Sequence, residues 1–179
     1  MREDHCAECG QVNHIGVTQM SSQFDPNVFL DAQVNEVNEK RPPLPTENPD
    51  DSNGLYLAVI GEIKTDSGTI GKGDNAGKPW ISMLIPLRIQ VPPSVQGLGV
   101  PPELTLTDRA FLDLNAQGGL DMSKGKNRRQ KDYRDATGTN VAGVPWSWRQ
   151  LQGKTVKVKV NHELYQDAIQ ERVGSVLPS

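Results

Sequence analysis

Hydrophobic and polar positions alternate over much of the chain beyond residue 54. From Trp80 to Val91 the apolar residues Ile81, Met83, Ile85, Leu87, Ile89 and Val91 recur at every second place, the period of a strand that buries one face. Pro86 sits inside this run and offers no N–H to a ladder, so a sheet edge or a bulge is expected there. Leu55 to Ile63 is apolar on both faces at first, as in a buried strand, and Leu104 to Leu106 with Phe111 to Leu114 form a weaker strand region. Thr155 to Val160 places Val156, Val158 and Val160 on one face, and a turn near Tyr165-Gln-Asp167 folds it against Ala168 to Leu177 as a hairpin. Thr65 to Pro79 and Pro92 to Pro102 are rich in turn residues and read as loops. Only residues 123–138 leave the period of two: a helix is expected from about Lys126, ended by Gly138, with a thin apolar stripe of Tyr133 and Ala136.

Three strands, a helix and a closing hairpin follow the element order of the OB-fold, a five-stranded Greek-key barrel whose sheet face and loops bind oligonucleotides or oligosaccharides. A β-sandwich with one helix has the same order. The expected fold is mainly β with one or two helices, an OB-fold-like five-stranded barrel preceded by an extended N-terminal arm. Residues 1–54 form that arm and 55–179 the barrel domain. The arm lacks sustained periodicity apart from a short patch at Phe24, Val28, Phe29, Val34 and Val37. It then runs through a linker with four prolines between Glu39 and Gly54. Met20-Ser-Ser-Gln reads like a translation start, which would make residues 1–19 an upstream extension of the frame.

Charge sharpens this division. The formal net charge of −3 is the sum of an arm at −7, with three Lys/Arg and ten Asp/Glu, and a body at +4, with sixteen and twelve. Apolar residues make up 35% of the chain and aromatic ones 5%, beside 17 glycines and 13 prolines. No run approaches the roughly 20 apolar residues that span a bilayer, and the start lacks the apolar core of a secretory signal. A cytoplasmic protein without a membrane partner is expected. Cys6 and Cys9 are the only cysteines, so burial rather than disulfides must hold the body together.

The patterns of common active sites fail on physical grounds. Cys6, Cys9, His5 and His14 are zinc-type ligands, but they crowd into ten residues with no second pair to fold around the ion. Gly71-Lys-Gly-Asp-Asn-Ala76 spells a dinucleotide pattern, yet a strand follows where a helix N-terminus is required. His162, the only histidine of the body, has Glu163 beside it in a strand, where neighbours point to opposite faces. It reads as solvated surface. No catalytic residue, metal site or cofactor is expected, and the chain reads as a non-enzyme.

Cations and aromatic rings are the remaining signal. Lys124, Lys126, Arg128, Arg129, Lys131 and Arg134 crowd eleven positions with only Asp132 opposed. Lys157 and Lys159 share one face of their strand, Lys72, Lys78 and Trp80 lie on or beside the long hairpin loop, and Trp146 and Trp148 flank Ser147. Cations that follow phosphates, with rings such as Trp80, Tyr133, Trp146 and Trp148 that stack on bases, are what sequence-tolerant binding of single strands requires.

Phe24-Asp-Pro-Asn-Val-Phe-Leu30, the Pro-rich linker, Leu57-Ala-Val-Ile-Gly-Glu-Ile63, Gly125-Lys-Asn-Arg-Arg129 and Leu151-Gln-Gly-Lys-Thr-Val-Lys-Val-Lys-Val160 together resemble bacteriophage replication-cluster proteins that bind single-stranded DNA. The resemblance spans about residues 24–177. It implies an OB-like single-stranded-DNA-binding protein of phage replication or recombination, working in the host cytoplasm. Such proteins often end in an acidic tail that recruits replication partners. This chain ends Gly174-Ser-Val-Leu-Pro-Ser179, so any such role falls to the acidic leader, which would also compete with DNA for the basic face. Self-association stays open. The alternative is a phage structural or assembly protein whose arm docks on neighbouring subunits, and a weaker one is a duplex-DNA or RNA binder using the basic helix.

Overall fold

The computed structural model describes Gln33 and residues 39–179. The Cys6/Cys9 pair, the Met20 start and the patch between Phe24 and Val37 lie outside the described residues. From Lys40 to Ser179 the chain forms one compact unit. Among the described residues no helix is long and apolar enough to cross a membrane.

The unit is mainly β: six antiparallel strands, β1 (Tyr56–Ile60), β2 (Lys64–Thr69), β3 (Pro79–Gln90), β4 (Glu103–Phe111), β5 (Thr155–Tyr165) and β6 (Ala168–Pro178), form one sheet. Two helices, α1 (Pro93–Gln96) and α2 (Arg128–Ala136), complete it with a 3₁₀ turn at Trp148–Leu151. β3 organises the sheet because it is long enough to serve three partners. One edge pairs with β4 from Ser82↔Phe111 to Gln90↔Glu103. The other edge takes β2 opposite Pro79 to Leu84 and β1 opposite Leu87 to Ile89. β1 and β2 are thus two halves of one interrupted strand. Pro86 lies opposite the interruption, where its carbonyl accepts the Gly61 N–H at 2.7 Å and its missing donor falls outside both ladders. The expected loop from Thr65 is correspondingly shorter: β2 occupies its first part, and only residues 70–78 turn.

β1 pairs on its far side with β5, and β5 with β6, so the sheet runs β4-β3-β1-β5-β6. β4 and β6 come side by side without a ladder between them, which leaves the sheet open. The core holds the inward members of each alternation, including Ile85, Leu87, Ile89, Leu104, Leu106, Val156, Val158 and Val160.

Helix α2 lies at the open seam and stitches it. Its Arg129 donates from Nε to Asp108 on β4 at 2.6 Å, and from its two Nη atoms to the carbonyls of Gly174 and Val173 on β6 at 3.2 and 3.1 Å. Gly174 lies beside an irregular register at Lys159/Val160, and a Cβ there would stand 2.7 Å from Asn161 Nδ2. Tyr133 is fully buried and donates to the same Asp108 carboxylate at 2.8 Å. Asn127 precedes the helix in the left-handed region, φ 46°. Its amide exchanges hydrogen bonds with the Asp113 backbone and reaches the Asp121 carbonyl, tying the loop before α2 to the end of β4.

The boundary expected at residue 54 lies earlier, because the Pro-rich segment packs on the sheet. Leu44 is fully buried. Glu171 on β6 forks onto Arg41 at 2.8 and 2.6 Å and accepts the Leu44 N–H. Burial raises the Glu171 carboxyl's pKa, but the Arg41 fork and the Leu44 N–H more than offset it, leaving the pKa below the ordinary value. His162 is exposed, as expected, and its Nε2 donates to the Leu44 carbonyl at 2.7 Å. Tyr56 lies buried beneath the same segment, its hydroxyl on the Glu47 carbonyl at 3.1 Å, and burial pushes its pKa up to about 12.

Candidate nucleic-acid interface

The outward face of β2, β3 and β4 is read off the registers: Ser82 opposes both Asp66 and Phe111, Leu84 opposes Arg109, and Gly68 opposes Trp80. Inward positions of β4 are Leu104, Leu106 and Ala110, so Arg109 and Phe111 must point away from the core. They meet Trp80 there. The Trp80 and Phe111 rings lie edge to face, 5.7 Å between centroids, and the Arg109 guanidinium sits 5.7 and 5.8 Å from the two. Trp80 leans over Gly68 so closely that a Cβ would come 2.9 Å from the indole; only glycine leaves room for this ring to lie down. Phe111 remains 59% exposed, and Arg109 is held by Asp66 at 2.8 Å.

The turn at residues 70–78 rises beside this cluster, closed by backbone hydrogen bonds between Ile70 and the Gly77–Lys78 end. Lys72 is exposed, and Lys78 donates to the Asn75 side chain at 2.9 Å. A cation between two aromatic rings, one of them open, beside a lysine-bearing turn can hold a flat π-system and an anion together. Phe111 and Arg109 were absent from the residues expected at such a site. The signal for them was the alternation within Leu104-Thr-Leu-Thr-Asp-Arg-Ala-Phe111, which turns Phe111 to the polar side.

The other expected residues divide. Lys124, Arg128 and Lys159 are exposed and form no ion pair among the described residues. Lys126 faces Asp113 at 3.5 Å, and Lys131 is paired with Asp135 one helical turn on. Lys157 is corrected to a structural role: its ammonium is fixed 2.6 Å from Asp51, pinning the segment before β1 to β5. Arg129 and Tyr133 are corrected likewise. Arg129 is spent on the β4–β6 seam, and Tyr133 has no open ring face. Burial, and then the Asp108 carboxylate, hold the Tyr133 hydroxyl above its ordinary pKa, consistent with a permanent donor.

Trp146 and Trp148 pack edge to face at 5.2 Å and against the core. Trp146 donates to Thr139 Oγ1 at 3.1 Å and carries the Arg134 guanidinium 5.1 Å from its centroid. These rings are engaged rather than open for stacking. Among the described residues no cluster of three or more His, Cys, Asp or Glu side chains could hold a metal ion.

No protein-family model matches the chain, and no curated protein matches its sequence.

Proposed function

We propose that this chain is a non-enzymatic, sequence-tolerant single-stranded-DNA-binding protein acting in the host cytoplasm during phage replication or recombination. One observation carries the reading: the Trp80–Arg109–Phe111 cluster on the outer face of β2, β3 and β4, next to a turn bearing Lys72 and Lys78. That face and that turn are where an OB-like sheet takes oligonucleotides. Phe111 supplies the open stacking surface and Trp80 its floor. Arg109 exchanges Asp66 for a phosphate, and the exposed cations Lys124, Arg128 and Lys159 add diffuse attraction.

Fluorescence anisotropy with labelled oligo(dT), duplex DNA and RNA of equal length, at two salt concentrations, tests it. Single strands should bind more tightly than duplex, with affinity falling as salt rises. Phe111→Ala should weaken oligo(dT) binding by about 1–3 kcal/mol, roughly 5- to 150-fold. Equal affinity for duplex, a flat salt response or an unchanged Phe111→Ala variant would refute the reading.

A further inference from the structure

A second surface shares no residue with the Trp80 cluster. Between the loop after β4, helix α2 and the segment before the 3₁₀ turn is an open cleft of about 450 Å³, walled by Leu120, Met122, Val144, Trp146 and Trp148. Met122 is 64% and Val144 55% exposed, a large outlay of aliphatic surface on a chain poor in it. A basic hollow of about 350 Å³ adjoins this cleft, sharing Met122, Gln130 and Arg134 with it and adding Lys124, Lys126 and Lys131.

The wall of the apolar cleft also holds unmatched polar groups. Four buried side-chain polar atoms lack a partner among the described residues, and three of them, Gln130 Oε1, Arg134 Nε and Trp148 Nε1, belong to residues lining this one cleft. Gln130 is only 5% exposed. All three atoms are covered, so they mark under-satisfied packing beneath the wall of the cleft rather than contacts open to it. Two are donors and one is an acceptor.

We propose that this cleft is a docking site for a partner protein's acidic peptide, with one or two apolar side chains seated on Met122 and Val144 and its carboxylates over the basic hollow. The charge matches: Lys124 carries no ion pair among the described residues, and Lys126 and Lys131 can exchange Asp113 and Asp135 for the incoming carboxylates. An apolar wall beside a basic hollow suits a peptide that carries both apolar and carboxylate side chains, whereas a phosphodiester backbone offers charge to the hollow and nothing to the aliphatic wall. A nucleic-acid base would need an open aromatic face, and Trp146 has Arg134 over it and Trp148 at its edge. Aliphatic side chains form the open wall instead.

The test uses full-length protein and a panel of fluorescein-labelled short peptides built on an all-acidic frame, with one to three Leu or Phe residues moved through every position. Members of the panel should bind, and replacing their apolar residues by Ala, or their acidic residues by Lys, should weaken binding at least tenfold. Val144→Glu and Met122→Glu, both at exposed positions, should each weaken the best peptide at least tenfold while leaving oligo(dT) affinity within twofold. Lys124→Ala should weaken it several-fold and reduce its salt dependence. No binding by any panel member, or binding unaffected by Val144→Glu and Met122→Glu, overturns the proposal. So does a tenfold loss of oligo(dT) affinity in these two variants, which would make the cleft a nucleic-acid groove. Because peptide and oligo(dT) are measured separately, failure here leaves the Phe111 test intact, and the reverse.

Discussion

Arg129→Ala separates two roles that a basic cluster merges. In the folded chain the guanidinium spans the seam where β4 and β6 have no ladder, contacting Asp108 and the carbonyls of Val173 and Gly174. The side chains of Arg129 and Asp108 are 20% and 11% exposed, so the pair is mostly desolvated. Removing one partner of such a pair costs about 3–5 kcal/mol, because the other charge stays buried without compensation. The residual exposure and the Tyr133 hydroxyl still on Asp108 place the expected loss near the lower end, about 3 kcal/mol. That is a large share of the roughly 5–15 kcal/mol available to a domain. Urea unfolding followed by tryptophan fluorescence should show the midpoint fall at nearly constant m, and Tm should drop by roughly 10 °C. Arg128→Ala, one residue away on the exposed side, should stay within about 0.5 kcal/mol of the parent. The salt slope for oligo(dT) should respond in the opposite order: reduced by up to about 0.7 in Arg128→Ala and unchanged in folded Arg129→Ala. Equal stability of the two variants, or a reduced salt slope only in Arg129→Ala, would refute the assignment of Arg129 to the seam.

Three further outcomes are expected. Asp66→Asn should raise oligo(dT) affinity up to about fivefold at low salt, the exposed ion pair it removes being worth about 0–1 kcal/mol; a loss of affinity would mean that Asp66 positions Arg109 rather than competing for it. The folded-state pKa of Glu171 lies below its ordinary value, so its contribution to stability is complete above about pH 4.3 and is lost as pH falls through the lowered value. The stability gap between parent and Glu171→Gln, measured by urea unfolding at pH 7 and pH 3, should therefore shrink in acid, and a constant gap would contradict the linkage. Deleting residues 1–54 removes buried Leu44 and the Arg41–Glu171 fork and should lower the unfolding free energy, measured in urea, by several kcal/mol relative to a deletion of 1–39; equal stability of the two would contradict the docking of this segment, and only the shorter deletion can test whether the acidic leader weakens DNA binding at low salt.

The strands were legible because period-two alternation is a local property. Ile85 to Val91 and Val156 to Val160 bury the residues that their spacing selects, whereas Ile81 and Met83 are only half-buried and Ser82 between them is buried under the opposite face. The helix was legible from composition and Gly138. The interruption between β1 and β2 was not, because nothing in Gly61-Glu-Ile63 marks a break until Pro86 is placed opposite it. Nor was the fate of individual cations. Arg128 and Arg129 are identical in sequence terms, and a rotation of about 100° around the helix sends one to solvent and the other into the seam. Lys157 alternates with buried valines as an exposed residue should, yet Asp51, distant in sequence, captures it. Phe111 was legible in retrospect from the parity of its strand, whereas Arg109 acquires meaning only once Trp80 arrives from β3.

The break opposite Pro86 has a mechanical consequence. On one edge β3 is held from Pro79 to Leu84 by β2, in an arm that ends in the turn at residues 70–78, and from Leu87 to Ile89 by β1 inside the core. On the other edge its ladder with β4 runs unbroken past Pro86, from Ser82 to Gln90. The gap therefore weakens one edge only. Phe111 is paired to β3 at Ser82, so the continuous ladder holds Trp80 and Phe111 at one spacing, and amide exchange should quicken beside Pro86 on the β1/β2 edge and not on the β4 edge.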